Sequence, residues 1–365
     1  MPIITTTLEC PIHDSFRVQQ AAGLFDVPLA ERARESFAVE VPGSDEPWEI
    51  GLIVGPSGSG KTSIARAAFA EHWFAGCQWP PDRAVIDCFG ELDIRQLTGL
   101  LTAVGFSSPP AWIKPYHVLS GGERFRCDLA RALSVGLNVQ SESLPLVACD
   151  EFTSVVDRQV AQFASAAIAK AIRGGALRCR FVAVTCHYDV AEWLEPDWVV
   201  DMATATCRRG RLRRPTIELE LRRCHRRAWA AFKRHHYLSG SLCETARCYA
   251  ALWRGEPVAF CAVVPLIGRR GRWRITRLVT LPDYQGLGIG LCVAEAVAGL
   301  YRRERLRMNI TASHPAVVAH CRRSSRWRTV GAKKTGSPRA RGFTGNYRGS
   351  AGRSVVSFEY VGETA

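Results

Sequence analysis

Gly55-Pro56-Ser57-Gly58-Ser59-Gly60-Lys61-Thr62 follows directly on the apolar run Ile50-Gly51-Leu52-Ile53-Val54. The run reads as a buried strand, and Ser63 to Ala70 as the opening of a helix. That strand-turn-helix context separates a G-x-x-x-x-G-K-[ST] phosphate loop from a chance glycine-rich turn. The glycines let the backbone curl until several N–H groups point at one phosphate chain. The first N–H groups of the helix have no partner of their own, which brings Ser63 into the same site. Lys61 is expected to neutralise the β- and γ-phosphates and Thr62 to ligate Mg²⁺.

The chain has 365 residues, and at about 100 to 200 residues per domain that length predicts two domains. Each is long enough to bury a core. No apolar run approaches the roughly 18 residues of a membrane span, and the N-terminus lacks the basic-then-apolar pattern of an export signal. The sequence therefore predicts a soluble, cytoplasmic protein. Its 14 cysteines are scattered, several within apolar runs around Cys149, Cys186 and Cys261, as expected of reduced interior residues. The net charge of +14 is unevenly held. Residues 1–205 carry 16 Lys and Arg against 25 Asp and Glu, whereas residues 206–365 carry 32 against 9. A second half this basic favours a polyanionic partner, with nucleic acid first.

Four more strings follow the phosphate loop. Leu119-Ser120-Gly121-Gly122-Glu123-Arg124 leads into a helical run through Arg131, and its hydroxyl and glycine N–H groups suit a phosphate at a helix start. Leu144 to Cys149 is an apolar strand that delivers Asp150 and Glu151, one carboxylate to hold Mg²⁺ and one to polarise an attacking water. Ser154-Val155-Val156-Asp157 comes next, and the strand Phe181 to Thr185 ends at Cys186-His187. Together these strings make residues 1–205 resemble an ATP-binding cassette (ABC) ATPase. The resemblance implies ATP as the nucleotide, Glu151 in hydrolysis, a γ-phosphate contact from His187, and signalling between nucleotide sites through Asp157. It also implies that Ser120, Gly121 and Gly122 meet the ATP of a partner subunit, hence a homodimer closed on two ATP molecules. An aromatic upstream of the loop often stacks on adenine in such cassettes, and Phe25 and Phe37 are the candidates. The 64 positions from Gly55 to Leu119 leave room for a small helical subdomain rather than the larger one of transporters. The family's glutamine loop has three candidate positions: Gln78, Gln96 in a helical run, and Asp87 at the end of Ala84-Val85-Ile86, read as a strand.

Cys207 to Arg214 is rich in arginine and closed by Pro215, so residues 206–216 read as a basic linker. Ile217 to Phe232 is charge-rich and reads as a helix with a solvated or phosphate-contacting face. Ala246 to Trp253 and Pro257 to Val264 read as a hairpin across Arg254-Gly255-Glu256. The strand Arg274 to Leu281 is followed by Pro282-Asp283-Tyr284-Gln285-Gly286-Leu287-Gly288-Ile289-Gly290 and an apolar helix from Leu291 to Tyr301. This is a second anion cradle at a helix start, suited to a pyrophosphate. Arg307 to Ile310 and Val355 to Tyr360 read as further strands. Gln285 to Gly290 resembles the acyl-coenzyme A loop of the GNAT acyltransferases, and the resemblance covers residues 217–362. It implies acetyl-coenzyme A, or another acyl-coenzyme A, held by Gln285, Gly286, Leu287, Gly288, Ile289 and Gly290. The order of domains is similar to ABC-type ATPases fused to a predicted acetyltransferase domain, and to Mom-type relatives that modify DNA bases. The preceding strand carries no Glu or Asp for the usual general base. His235-His236-Tyr237-Leu238-Ser239 offers His236 and Tyr237 as proton acceptor and donor instead. Ser313-His314-Pro315 is a second polar cluster, and the Gly, Arg, Lys and Ser-rich stretch from Gly331 to Arg353 reads as a loop that clamps a phosphate backbone.

The expected fold class is α/β: a P-loop ABC ATPase domain over 1–205, the linker, and a smaller α+β GNAT-like acyltransferase domain over 217–362. The expected function is ATP binding and hydrolysis outside any transporter, coupled to acyl-coenzyme A-dependent N-acyl transfer, with nucleic acid as substrate and no membrane partner. Two alternatives stand beside it. The second domain is a non-catalytic nucleic-acid-binding module, or the chain is the ATPase subunit of a transporter.

Overall fold

The computed structural model describes residues 2–11, 13–27, 32–137, 144–236, 240–334 and 354–362. The first half opens with an antiparallel pair, β1 (Ile3–Pro11) and β2 (Arg32–Glu40), with helix α1 (Phe16–Phe25) between them. It continues through β3 (Ile50–Val54), α2 (Lys61–Phe69), β4 (Trp73–Phe74), α3 (Ile94–Ala103), α4 (Pro109–Trp112) and α5 (Gly121–Leu133). It ends with β5 (Leu146–Cys149), α6 (Arg158–Arg173), β6 (Arg180–Thr185), α7 (Ala191–Leu194), β7 (Trp198–Asp201) and β8 (Thr206–Arg209). One six-stranded sheet runs in the order β4-β5-β6-β3-β7-β8, parallel except for β8. All of β3 and β5 is buried, as expected of parallel strands covered on both faces.

The second half is a seven-stranded sheet. Its strands are β9 (Glu220–Cys224), β10 (Arg247–Trp253), β11 (Glu256–Pro265), β12 (Arg272–Thr280), β13 (Arg307–Ala312), β14 (Trp327–Lys334) and β15 (Ser354–Tyr360), in the order β14-β15-β13-β12-β11-β10-β9. Helix α8 (Trp229–Phe232) follows β9, α9 (Ile289–Arg303) joins β12 to β13, and α10 (Pro315–Arg323) follows β13. Only β12 and β13 are parallel, and they pair over four residues each, from Arg272 with Arg307 to Ile275 with Ile310. Beyond Ile275, β12 stays with β11 while β13 pairs with β15, so the two strands part and leave a wedge.

Three expectations are corrected here. Residues 206–209, read as the start of the linker, are the edge strand β8, with Cys207 against the core and Arg209 paired with Glu46. Ile217 to Phe232, read as a helix, contains the edge strand β9, whose Leu221 packs inward between charged neighbours. In both places charge suited to an exposed edge masks a short strand. Ala84 to Ile86 is not a strand, because Val85 to Cys88 form a 3₁₀ turn held by a single bridge from Ala84 to Pro115.

The two halves share an apolar seam. Helix α6 is buried against both halves: Val160, Ala164 and Ile168 pack on the first sheet, while Phe163 and Ala166 join the core of the second. The Phe163 ring stands edge-on to Trp253 at 5.2 Å and to Tyr284 at 5.0 Å. Pairs of this kind add about 0.5 to 1.5 kcal/mol each beyond burial.

Candidate functional sites

The first site lies at the carboxyl ends of three adjacent parallel strands. Val54 of β3 is in register with Thr185 of β6, and Cys149 of β5 with Ala183, so the phosphate loop, Asp150-Glu151 and His187 leave the sheet on the same side. Helix α2 starts at Lys61 with no side-chain cap, which leaves the N–H groups of Lys61, Thr62 and Ser63 available to phosphate. Gly60 is required by packing as well as by its φ of 77°, because a Cβ there would stand 2.5 Å from the Phe37 ring. The Ser59 hydroxyl is buried without a hydrogen-bond partner among the described residues, as fits an acceptor or donor waiting for a ligand. Lys61 Nζ donates to the carbonyl of Pro56, 2.6 Å away, and so lies over the loop.

Beyond β5 the chain turns sharply. Glu151 and Thr153 have φ of 48° and 69°, left-handed values that non-glycine residues rarely take. Strain of this kind collects at functional turns and costs about 1 to 3 kcal/mol per residue. The turn is pinned by Phe152 N donating to Val184 O at 2.9 Å and Glu151 N donating to Asp150 Oδ1 at 2.9 Å. Glu151 is left exposed at the mouth of the site. Thr62 and Asp150 are the residues that would hold Mg²⁺, a cation that keeps waters and phosphate oxygens as its other ligands.

Ser120 caps α5 in a reciprocal box: Glu123 N donates to Ser120 Oγ at 3.3 Å and Ser120 N to Glu123 Oε2 at 2.9 Å. Gly121 faces open space and Gly122 lies against Val160 of α6. Asp157 caps α6, accepting from Gln159 N at 3.0 Å and Val160 N at 2.9 Å. The start of α5 thus packs on the helix that Asp157 caps. Of the proposed adenine partners, Phe25 is 77% exposed on α1, whereas Phe37 packs under Gly60. Gln96 is the capping-box residue of α3, and Gln78 follows β4 between Cys77 and Trp79, which line a cavity with Asp150 and Glu151 while Gln78 does not.

The second site is the wedge between β12 and β13, a cavity of about 320 Å³ lined by Ile275, Thr280, Ile310, His235, His236 and the start of α9. Gly288 caps α9 with φ 88° and no side-chain cap, so the first N–H groups of the helix face outward. His236 is buried, edge-on to Trp229 at 5.6 Å. His235 accepts from Arg234 Nε at 2.9 Å, and burial together with the adjacent Arg234 holds its pKa below the ordinary value. Tyr237 and Ser239 lie outside the described residues, as does most of Gly331 to Arg353. His314 Nδ1 accepts from Ala316 N at 3.3 Å, so its Nε2 must carry the proton it donates to Ser107 O at 3.3 Å. It is a neutral strut between the domains.

Gln285 departs from expectation. Its amide oxygen accepts from Ser107 N at 2.8 Å and its amide nitrogen donates to Thr280 O at 3.1 Å, so the side chain ties the loop to the first domain instead of facing a pyrophosphate. Gly286 has φ 94°, and a Cβ there would stand 2.6 Å from the Cβ of Ala167 and 3.0 Å from Gly105 Cα. Lys170 of α6 donates to Leu287 O at 3.1 Å. Arg126 of α5, only 1% exposed, donates to Asp283 O at 3.5 Å. Sequence reasoning missed Ser107, Arg126, Ala167 and Lys170. The available signal was α6 itself, whose stretch from Phe163 to Ala169 holds only small and apolar residues, all buried, as suits a helix packed from two sides.

Residues 207–320 match the family model for the Acetyltransferase (GNAT) family. Among solved structures, the first half is similar to the dimeric post-hydrolysis state of the ATP-binding cassette MJ0796 bound to ADP and Pi, at 16% identity over 50% of this chain and 93% of that one, with a TM-score of 0.37. The second half is similar to the IAA acetyltransferase from Bacillus cereus ATCC 14579, at 11% identity over 39% and 99% of the two chains, with a TM-score of 0.28. It is also similar to the ribosomal-protein-S18-alanine N-acetyltransferase from Escherichia coli, at 14% identity over 40% and 96%, with a TM-score of 0.31. No curated protein matches the chain. No helix among the described residues is long and apolar enough to cross a membrane.

Proposed function

We propose that the chain is an ATP-hydrolysing cassette protein, outside any transporter, whose nucleotide cycle controls an acyl-coenzyme A-dependent N-acyltransferase domain acting on nucleic acid. The observation that carries this reading is the docking of the second glycine loop on the first domain. Ser107 holds Gln285, Ala167 touches Gly286, and Lys170 holds Leu287. Ser107 follows α3, and Ala167 and Lys170 lie on the helix capped by Asp157, so movement of either element reaches the wedge directly.

When bound, ATP with Mg²⁺ supplies the phosphoryl energy and acyl-coenzyme A an activated acyl group. The chain's own part at the first site is to cradle phosphate with the N–H groups from Gly58 to Ser63 and with Lys61, and to orient water at Glu151 and His187. The open Ser120-Gly121-Gly122 start of α5 is read as the surface that meets a second copy's nucleotide in a homodimer. In the wedge, His236 takes the proton of the attacking amine, with His235 beside it on the same lip. The basic balance of residues 206–365 supports a polyanionic acceptor.

A second reading has its own support. Strand β12 carries no carboxylate from Arg274 to Thr280, which favours a nucleic-acid-binding module without acyl transfer. The test is mass analysis of nucleic acid incubated with the protein, ATP and acetyl-coenzyme A. An acetyl mass increment that needs both cofactors supports the first reading, and an unmodified but bound polymer supports the second.

A further inference from the structure

The sheet of the first half separates two groups of helices. Leu52 and Val54 of β3 belong to the core that holds α5 and α6, whereas Ile53 between them belongs to the core that holds Ile64, Ala65 and Phe69 of α2. Alternate residues of a strand point to opposite faces, so α2 lies on one face of the sheet and α5 and α6 on the other. The second half is joined on that other face. Arg126 of α5 reaches Asp283, and Phe163, Ala167 and Lys170 of α6 reach Trp253, Gly286 and Leu287. A chain's own ATP belongs to the phosphate loop and α2, whereas α5 starts at Ser120-Gly121-Gly122, read above as the surface that meets the nucleotide of a second copy.

Arg126 stands between that start and the second half. It is fully buried, donates to Gly122 O at 3.4 Å and to Asp283 O at 3.5 Å, and its Nε has no hydrogen-bond partner among the described residues. Buried polar groups are as a rule fully paired, and both of these bonds are long. The carboxylates of Asp283, Asp157 and Glu123 all act on its charge. Glu123 lies on the same helix face one turn earlier, and it accepts from both the N–H and the hydroxyl of Ser120 at 2.9 Å. A phosphate bound at Ser120 needs those two donors and repels that carboxylate. Displaced from Ser120, Glu123 pairs with Arg126, which then gives up Asp283 and with it the turn that precedes Gln285 and Gly286.

We infer that the wedge of one copy answers to the ATP held by the other copy, with Arg126 as the positioning residue that links them. The inference rests on the nucleotide-controlled acyl-coenzyme A reading and adds which nucleotide does the controlling.

The test mixes two full-length variants. Lys61→Ala weakens the chain's hold on its own ATP and keeps the start of α5. Gly121→Glu keeps the phosphate loop and sets a carboxylate where a phosphate would arrive, at a position that faces open space and so tolerates a side chain. A photoreactive acyl-coenzyme A, used below saturation, labels the chain that holds it, and the two chains are told apart by mass. Neither variant alone is expected to change its labelling when ATP is added. In the mixture the Lys61→Ala chain is expected to change its labelling with ATP by about fivefold or more, while the Gly121→Glu chain does not. ATP-dependent labelling of the Gly121→Glu chain, alone or mixed, means that each wedge answers to its own nucleotide and overturns the inference. So does a mixture in which neither chain responds although the unaltered protein does. Arg126→Met added to the Lys61→Ala chain should abolish the response while labelling without ATP persists, and a response that survives overturns the part given to Arg126. An unaltered protein that takes no label, or takes it equally with and without ATP, removes the nucleotide-controlled reading on which the inference stands.

Discussion

Lys170, on the helix that starts at Asp157 in the first domain, donates through Nζ to the carbonyl oxygen of Leu287 in the glycine loop of the second, 3.1 Å away. The residue that caps α6 stands in a string proposed above to serve the nucleotide site, and more than three turns along the same helix a lysine holds the loop of the other site. A rigid helix with partners at both ends transmits displacement, which gives the proposed coupling a physical carrier.

The nucleotide site is tested by two substitutions. Lys61→Ala removes the phosphate-facing ammonium and should weaken ATP binding by about a hundredfold, from the worth of charge-assisted hydrogen bonds. Glu151→Gln keeps the shape of the turn and should slow hydrolysis by about a hundredfold or more while ATP still binds. Hydrolysis at the original rate in Glu151→Gln would remove the role given to that carboxylate.

Gly286→Ala should part the two domains. The added methyl group meets Ala167 and Gly105, and φ of 94° disfavours any side chain. Overpacking at such a contact costs about 1 to 3 kcal/mol. Denaturant unfolding followed at the tryptophans should show a lower midpoint and, with the seam loosened, a split into two transitions. A single unshifted transition would mean that the loop is not held against α6.

The pH dependence of the seam follows from His314. Burial holds its pKa below the ordinary 6.5. Its neutral form is the one that caps α10 and donates to Ser107. The stability it contributes is therefore complete above the unfolded pKa and is lost as the pH falls below 6.5 toward the depressed folded value. Thermal melts from pH 7.5 down to about pH 5 should show this loss, and His314→Gln should flatten that part of the curve. Identical pH profiles for the two proteins would contradict the assignment.

His236→Ala should lower acyl transfer by about 10² or more, the usual worth of a positioned base, while ATP turnover stays near its original rate. Loss of both activities would mean that this buried ring serves the fold through its contact with Trp229.

The strings that bind phosphate were legible because each needs a fixed order of glycines, hydroxyls and charges on a strand-to-helix turn. Gly55 to Thr62, Ser120 to Gly122 and Asp150-Glu151 all fall on the elements expected of them. The apolar strands β10 and β11 and the β-branched β12 were equally plain. Strands β8 and β9 were hidden because edge strands carry the arginines and glutamates that a linker or a helix face also carries. The joint between the domains was not legible at all. Nothing local in the sequence tells that Gln285 turns its amide to Ser107, or that Arg126 of α5 reaches Asp283, since both contacts depend on how two sheets pack around α6. Helix α1 in the first 50 residues escaped for another reason: it buries none of its residues, so it has no core-facing stripe to read.

The most direct test of the central claim is the affinity for acetyl-coenzyme A measured on the Glu151→Gln chain with and without saturating ATP, together with the affinity for ATP measured with and without acetyl-coenzyme A. Coupling between sites is reciprocal, so the two ratios must agree, and a value of about fivefold or more is expected for sites joined through a packed helix. Two affinities that each ignore the other ligand would contradict the account and leave two independent domains on one chain.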